Sequence, residues 1–460
     1  MIDKPSFTYF TPSSKMDQSP LSHFIARFDW ILLIDVIALS IIGIMMVYSA
    51  SSRFGHPEYF IVKQLIALVS GFIMLFLFAA VNYQIFAQYP KTLFTISISL
   101  LLAVLLFGQT YRGTKAWISI GPMAFQTSEI TKVLSILIVS GVCARSIKEI
   151  QRLKSLVMPF LTVLAHVIFI LMQPDFGSTL VYFPILLGIL FVAGARPIHL
   201  LAIFFYGIIS GFALLFHTMI SLNPEFSESH PVANFLYRGM GLKKEFWLLM
   251  SSIAALFILI WWLLKQLRLR TQGAYFIFTF LFFFSGWTTG SFFANSLMQY
   301  QRKRLLVFFQ PGIDPMGAGY HVIQSMVALG SGKIFGRGFR SGTQGQLGFL
   351  PEQHTDFIFS VLGEEFGFVI SSFVLFLYLT VIWRSISIAG DSRDRFGSMV
   401  AVGIGCMFAF YGSINLAMVM GLAPVTGLPL PFLSYGGSSL VASLAAVGIL
   451  LSIHIHRYIH

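Results

Sequence analysis

Long apolar runs recur along the whole chain, each close to the ~20 residues that an α-helix needs to cross a bilayer. They fall near 30–50, 60–82, 91–108, 129–144, 155–172, 177–194, 198–217, 246–264, 274–298, 357–383, 396–420 and 436–455. Twelve such runs predict an all-α, polytopic integral membrane protein. Composition agrees: 56% of residues are hydrophobic and 10% charged, against ~25% charged in a soluble domain. Residues 1–25 are polar and the first run is long enough to span, so no cleavable signal peptide is expected. The two cysteines, Cys143 and Cys406, lie far apart in apolar stretches. They exclude a disulfide scaffold, a cysteine zinc site and an iron–sulfur cluster.

The net charge of +12 follows membrane topology better than a nucleic-acid surface, because the basic residues sit between apolar runs. Lys4, Lys15 and Arg27 precede the first run. Arg145, Lys148, Arg152 and Lys154 follow the fourth, and Arg196, Lys265, Arg268, Arg270, Arg384, Arg393, Arg395 and Arg457 come later. With twelve spans all of these fall on one side, so both termini are expected in the cytoplasm.

The longest loop, about 299–356, then lies on the other side and departs from that rule. It carries Arg302, Lys303, Arg304, Lys333, Arg337 and Arg340 against Asp314 and Glu352. Either it is a solvated basic loop or it binds an anion at the outer surface. Phosphate is the natural candidate, since guanidinium offers paired donors and ammonium a point charge. Glycines punctuate the loop, but the Walker spacing is absent, which excludes a nucleotide site of that type. Residues 321–329 read as a short amphipathic helix on the membrane.

The loop ends at Asp356, immediately before an apolar run. Asp356 reads either as a helix cap or as a base facing a cavity. Glu364 and Glu365, about two turns deeper, must face protein or water, and basic groups could pair with them. Glu129 and Lys132 are spaced for an intrahelical ion pair. Asp175, in the break Gln173–Thr179, reads as a cap or as part of a cavity lining. Asp35 and Asn415 are polar groups inside spans. Pro424, Pro429 and Pro431 with Ser434–Ser439 read as a rigid, re-entrant-like turn. His454, His456 and His460 lack neighbouring carboxylates or cysteines, which argues against a metal site there.

The stretch Phe349–Gly367, FLPEQHTDFIFSVLGEEFG, resembles the signature of the SEDS family (shape, elongation, division and sporulation), which includes RodA and FtsW. Further blocks match in order: Arg112-Gly113 with Ala116-Trp117-Ile118, Phe125–Lys132, Gln173–Gly177, Tyr300–Arg304, Asp314–His321 and Leu430–Ser438. Pro351–Asp356 and Pro424–Pro429 look closer to RodA than to FtsW. Thr127 departs from the proline usual in its block.

The resemblance implies a SEDS-type bundle of ten core spans plus about two extra. Its parts would be a cytoplasmic tail at 1–28, a first transmembrane half at 29–217, an inserted region with the extra spans at 218–298, an extracytoplasmic catalytic loop at 299–356 and C-terminal spans at 357–460. It implies a peptidoglycan glycosyltransferase of the bacterial cytoplasmic membrane that polymerises lipid II, with a class B penicillin-binding protein as partner. Asp356 takes the catalytic position of the family, and Glu129, Lys132 and Asp175 its polar positions. As general base, Asp356 would deprotonate the acceptor hydroxyl, and undecaprenyl diphosphate would leave. Arg302, Arg304, Lys333 and Arg337, or a divalent cation (magnesium or manganese), are the candidates to neutralise the leaving charge. Arg112, Trp117, His354 and Thr355 complete the expected substrate-binding set. The rival readings are a lipid II flippase and a scaffold that only activates its penicillin-binding partner.

Overall fold

The computed structural model describes residues 28–52, 57–111, 114–120, 123–222, 229–240, 244–267, 273–297, 302, 304–305, 307–308, 318–350 and 352–457. The elements in chain order are α1 (Trp30–Ser51), α2 (Pro57–Ala80), α3 (Gln84–Gln88), α4 (Pro90–Phe107), β1 (Gln109–Tyr111), β2 (Thr114–Ile120), β3 (Met123–Gln126) and α5 (Thr127–Arg145). They continue with α6 (Leu153–Leu171), α7 (Phe176–Leu180), α8 (Tyr182–Ala193), α9 (Pro197–Leu222), α10 (Pro231–Arg238), α11 (Lys244–Gln266) and α12 (Gly273–Ser296). The last five are α13 (Ala318–Ser331), α14 (Thr343–Gln346), α15 (Ile358–Asp391), α16 (Arg395–Val419) and α17 (Gly437–His456).

Among the described residues, eleven helical segments are long and apolar enough to cross a membrane, with α7 and α8 counting as one. The remaining expected run, 274–298, forms the 24-residue helix α12. Ser285, Gly286, Thr288, Thr289, Gly290 and Ser291 gather in its second half. Those small residues serve packing. A Cβ on Gly290 would stand 2.2 Å from the Ser210 carbonyl of α9, and one on Gly286 would stand 3.1 Å from Ile209. Small residues four apart let two membrane helices approach closely. Helices α9 to α12 also have an apolar cluster of their own around Phe246, Leu249, Met250 and Trp287.

The centre of the bundle is α17, whose spanning window is 100% buried, beside α5 and α16. Its Ser, Ala and Gly content explains this: a Cβ on Gly448 would come within 2.4 Å of the Leu75 carbonyl of α2. The all-α expectation needs one amendment. Gln109–Tyr111, Thr114–Ile120 and Met123–Gln126 form a three-stranded antiparallel sheet in the order β1-β2-β3, with Trp117 facing Gln126 in register.

One end of the bundle is laced by polar groups. Asp29 caps α1 by accepting from the Leu32 N–H at 3.2 Å, and Arg384 bonds its other oxygen at 2.6 Å. Arg457 meets Asp391 at 2.9 Å. Tyr83 donates to Asp394, and burial with that neighbouring carboxylate pushes its phenol well above the ordinary pKa. Asp35 accepts from the Thr380 hydroxyl at 2.6 Å, which satisfies it inside α1. Helix α15 runs from Asp391 at this end to Ile358 at the other.

Candidate active site

The site occupies the opposite end and is organised by a break in α15. At Gly367 the backbone turns to φ 70° and ψ −167°, so α15 is two helical segments, 358–366 and 368–391. A break strands N–H and C=O groups that lipid cannot satisfy. The loop after α13 supplies the partners. The N–H groups of Arg337 and Gly338 donate to the carbonyls of Glu364 and Glu365 at 3.0 and 2.9 Å. In return, the N–H groups of Phe368 and Val369 donate to the carbonyls of Lys333 and Ile334 at 2.9 and 3.1 Å. No side chain fits in this stitch: a Cβ on Gly367 would lie 2.3 Å from the Gly336 nitrogen.

Among the described residues, the hydrogen-bond partners of Glu364 and Glu365 are hydroxyls and backbone N–H groups rather than the basic side chains that could have paired with them. Glu364 is fully buried and accepts from the N–H groups of Gln344 (2.9 Å) and Gly345 (3.3 Å) and from the Thr343 hydroxyl (3.1 Å). Glu365 accepts from the Ser49 hydroxyl of α1. Glu364 therefore fastens the outer loop to α15, and Glu365 fastens α15 to α1.

Asp356 stands at the far end of the short segment. The N-cap is Phe357, with no side-chain cap bond. The backbone of Asp356 is fixed from α16: the Asn415 amide donates to its carbonyl at 3.0 Å and to the Leu428 carbonyl at 2.9 Å. Asn415 thereby ties Asp356 to the proline-rich turn 423–436. That turn dips inward as expected, since a Cβ on Gly43 would stand 2.3 Å from the Phe432 carbonyl. At its outer part, Gly427 takes φ 74°. Asp356 Oδ2 and Arg304 Nη1 lie 3.7 and 3.8 Å from the position of a Cβ there. The carboxylate and the guanidinium therefore flank one spot that glycine leaves open. Arg304 also lines a pocket of about 30 Å³ with Val307, Phe308, Val322, Met326 and the backbone turn 421–425.

A second polar group lies beside it. Asp175 caps α7 by accepting from the Ser178 N–H at 3.1 Å, and it takes the Gln126 amide at 2.9 Å and the Ser128 hydroxyl at 3.2 Å. Lys132 and Glu129 form the intrahelical pair at 2.6 Å, buried in α5, and the Tyr411 hydroxyl donates to Glu129 at 2.9 Å. Trp117 faces Gln126 across β2 and β3. His354 lies between the rings of Phe60 and Tyr435, and its carbonyl accepts from the Tyr435 N–H at 2.9 Å. The Thr355 hydroxyl turns back to the Glu352 carbonyl at 3.2 Å.

Of the four basic candidates, Arg304 is at Asp356. Arg302 donates to the carbonyls of Asn295 and Leu297 at the end of α12. Lys333 and Arg337 sit at the Gly367 stitch, nine helical residues from Asp356, or ~14 Å by helical rise. They are therefore not part of the Asp356 site, because the loop is spent on capping the break. Arg112 lies outside the described residues. Among the described residues no three His, Cys, Asp or Glu side chains gather as a metal site.

Tyr411 and Gly427 were not singled out from the sequence. Tyr411 had a readable signal: it lies four residues before Asn415 in an apolar helix, hence on the same face. Gly427 had none beyond its place among prolines, because its role arises from Arg304 and Asp356 meeting over it.

A multi-pass helical bundle with a broken helix, and with a carboxylate and an arginine flanking Gly427 at one end, is an integral membrane protein. The cell cycle protein family FtsW/RodA/SpoVE matches residues 29–224 and 232–459, and the chain belongs to that family. It is 35% identical over 439 residues to the peptidoglycan glycosyltransferase RodA of Treponema pallidum, covering 94% of this chain and 98% of the relative. It is 32% identical over 437 residues to a probable peptidoglycan glycosyltransferase FtsW of Trichlorobacter lovleyi, covering 93% of each. A solved structure reported as "Structural coordination of polymerization and crosslinking by a peptidoglycan synthase complex" superposes with a TM-score of 0.63 at 27% identity, over 94% of this chain and 99% of that one.

Proposed function

We propose that the chain is a peptidoglycan glycosyltransferase that polymerises lipid II at the outer face of the bacterial cytoplasmic membrane, in cell elongation. The observation that carries this reading is that Asp356 Oδ2 and Arg304 Nη1 each lie within 4 Å of the Cβ position of Gly427. Asp356 takes the proton from the acceptor N-acetylglucosamine 4-hydroxyl. That oxygen attacks C1 of the donor N-acetylmuramic acid with inversion, the bond from C1 to the diphosphate oxygen breaks, and undecaprenyl diphosphate departs. Arg304 offsets the charge that develops on the diphosphate. Val307, Phe308, Val322 and Met326 supply an apolar wall for the first isoprene units. Among the described residues Asp356 is the carboxylate beside Gly427, so a magnesium or manganese ion there would also be held by the diphosphate it neutralises.

The loops rich in Lys and Arg fall at the end opposite Asp356, which supports a cytoplasmic position for that end. A class B penicillin-binding protein is the expected partner, and the synthase complex to which the chain is similar supports it. The flippase reading finds no support in Glu129, Lys132 and Asp175, which are spent on one another, on Tyr411 and on capping. The test is lipid II polymerisation by the purified chain with its partner. Asp356→Asn should remove polymer while partner binding and thermal unfolding stay as in the parent. Normal glycan strands from that variant would overturn the reading.

A further inference from the structure

The loop that stitches the Gly367 break turns an unusual surface outward. Lys333, Arg337 and Arg340 are all exposed, and between them Ile334 and Phe335 are 59% and 81% exposed. The nearest acids, Glu364 and Glu365, are buried and bonded inward, so the loop's outer face is positive. Its height in the bilayer follows from α1. That helix of 22 residues is ~33 Å long, about the hydrocarbon thickness. Its last turn therefore marks the boundary with the headgroups. Arg340 lies over the Tyr48 ring at 5.1 Å, and the Phe339 ring is 6.4 Å from it. The basic loop thus sits at headgroup level with two apolar side chains directed away from protein.

The loop is also held in place. Lys333 and Arg340 have φ of 48° and 57°, a region that non-glycine residues keep only under constraint. The four backbone bonds to α15 and a 2.7 Å bond from the Gly336 N–H to the Gly332 carbonyl supply that constraint. The side chains are therefore presented in a fixed array, which lowers the entropy cost of binding.

We propose that Lys333–Arg340 is a docking site for an anionic phospholipid of the surrounding bilayer. The phosphate lies among Lys333, Arg337 and Arg340, and Ile334 and Phe335 enter the acyl region. The occupant is a structural lipid, distinct from the polymerised substrate, because the loop stands a whole helical segment away from Asp356 and Arg304.

The experiment is native mass spectrometry of the full chain, titrated with phosphatidylglycerol, phosphatidylcholine or undecaprenyl diphosphate. The parent should prefer phosphatidylglycerol over phosphatidylcholine. Lys333→Gln with Arg340→Gln should lower phosphatidylglycerol affinity roughly fivefold per charge removed, leaving phosphatidylcholine binding unchanged. Phe335→Ser should weaken both phospholipids. Lys333→Gln alone, on an exposed side chain, gives the same reading if the double variant unfolds. Retention of the phosphatidylglycerol preference in a folded variant would overturn the proposal. So would displacement of phosphatidylglycerol from the parent by equimolar undecaprenyl diphosphate, which would make the loop a substrate subsite.

Discussion

The side-chain amide of Asn415, fully buried in α16, donates to the backbone carbonyl of Asp356 at 3.0 Å. The same nitrogen reaches the Leu428 carbonyl at 2.9 Å, so one group sets both walls of the site. Asn415→Ala leaves two carbonyls without this donor, at a cost of about 2 kcal/mol. Polymerisation should fall at least tenfold as Asp356 loosens. Thermal unfolding and a lipid II assay read the two effects separately, and an unchanged rate would sever Asn415 from catalysis.

Asp356→Asn keeps the shape of the side chain and removes its basicity. The loss expected for a general base is about 10²–10⁴-fold in rate. Substrate binding, followed with labelled lipid II, should change little. A rate within threefold of the parent would reassign the base.

Gly427→Ala tests the open spot between carboxylate and guanidinium. The new methyl would stand 3.7 Å from Asp356 Oδ2, in ordinary contact, but at φ 74°. The strain costs about 1 kcal/mol, so the protein should still fold. Polymerisation should drop with a raised KM, because the methyl fills the place the reacting groups need.

Gly367→Ala attacks the stitch. Its methyl would lie 2.3 Å from the Gly336 nitrogen and 2.5 Å from the Ile334 carbonyl oxygen, both backbone. Neither can move aside cheaply, so about 3 kcal/mol of stability should go. The midpoint of thermal unfolding in detergent checks it, and an unshifted midpoint would mean that the loop has another way to seat.

Lys132→Met leaves Glu129 charged in the bundle with only Tyr411 as partner. Breaking one side of a buried pair costs about 3–5 kcal/mol. Lys132→Met combined with Glu129→Gln should recover most of it. If the double variant is as unstable as the single one, the pair has a role other than mutual neutralisation.

The spans were legible in the sequence because lipid demands runs of a fixed length; the run at 274–298 became the helix Gly273–Ser296, and the largest difference is α15, which continues to Asp391 beyond the expected 383. The place of Asp356 just before a helix was legible from the edge of an apolar run, and the Glu129–Lys132 pair from spacing alone. The break at Gly367 was not, because Gly367 looks like any other small residue in an apolar helix. Its partners lie some thirty positions earlier, and backbone bonds to a loop leave no trace in side-chain identity. For the same reason Lys333 and Arg337 read as companions of Asp356: charge can be counted along a chain, but distance cannot.

The junction between loop and broken helix is written almost entirely in main-chain atoms. Gly332, Gly336 and Gly367 are compelled by it, since a methyl on any of them would meet backbone at 1.9 to 2.3 Å. The exposed side chains of the loop at 333–335 and 337 carry no such demand. A lineage can therefore retune the loop's outward chemistry to a new membrane without disturbing the joint that carries the reactive acid.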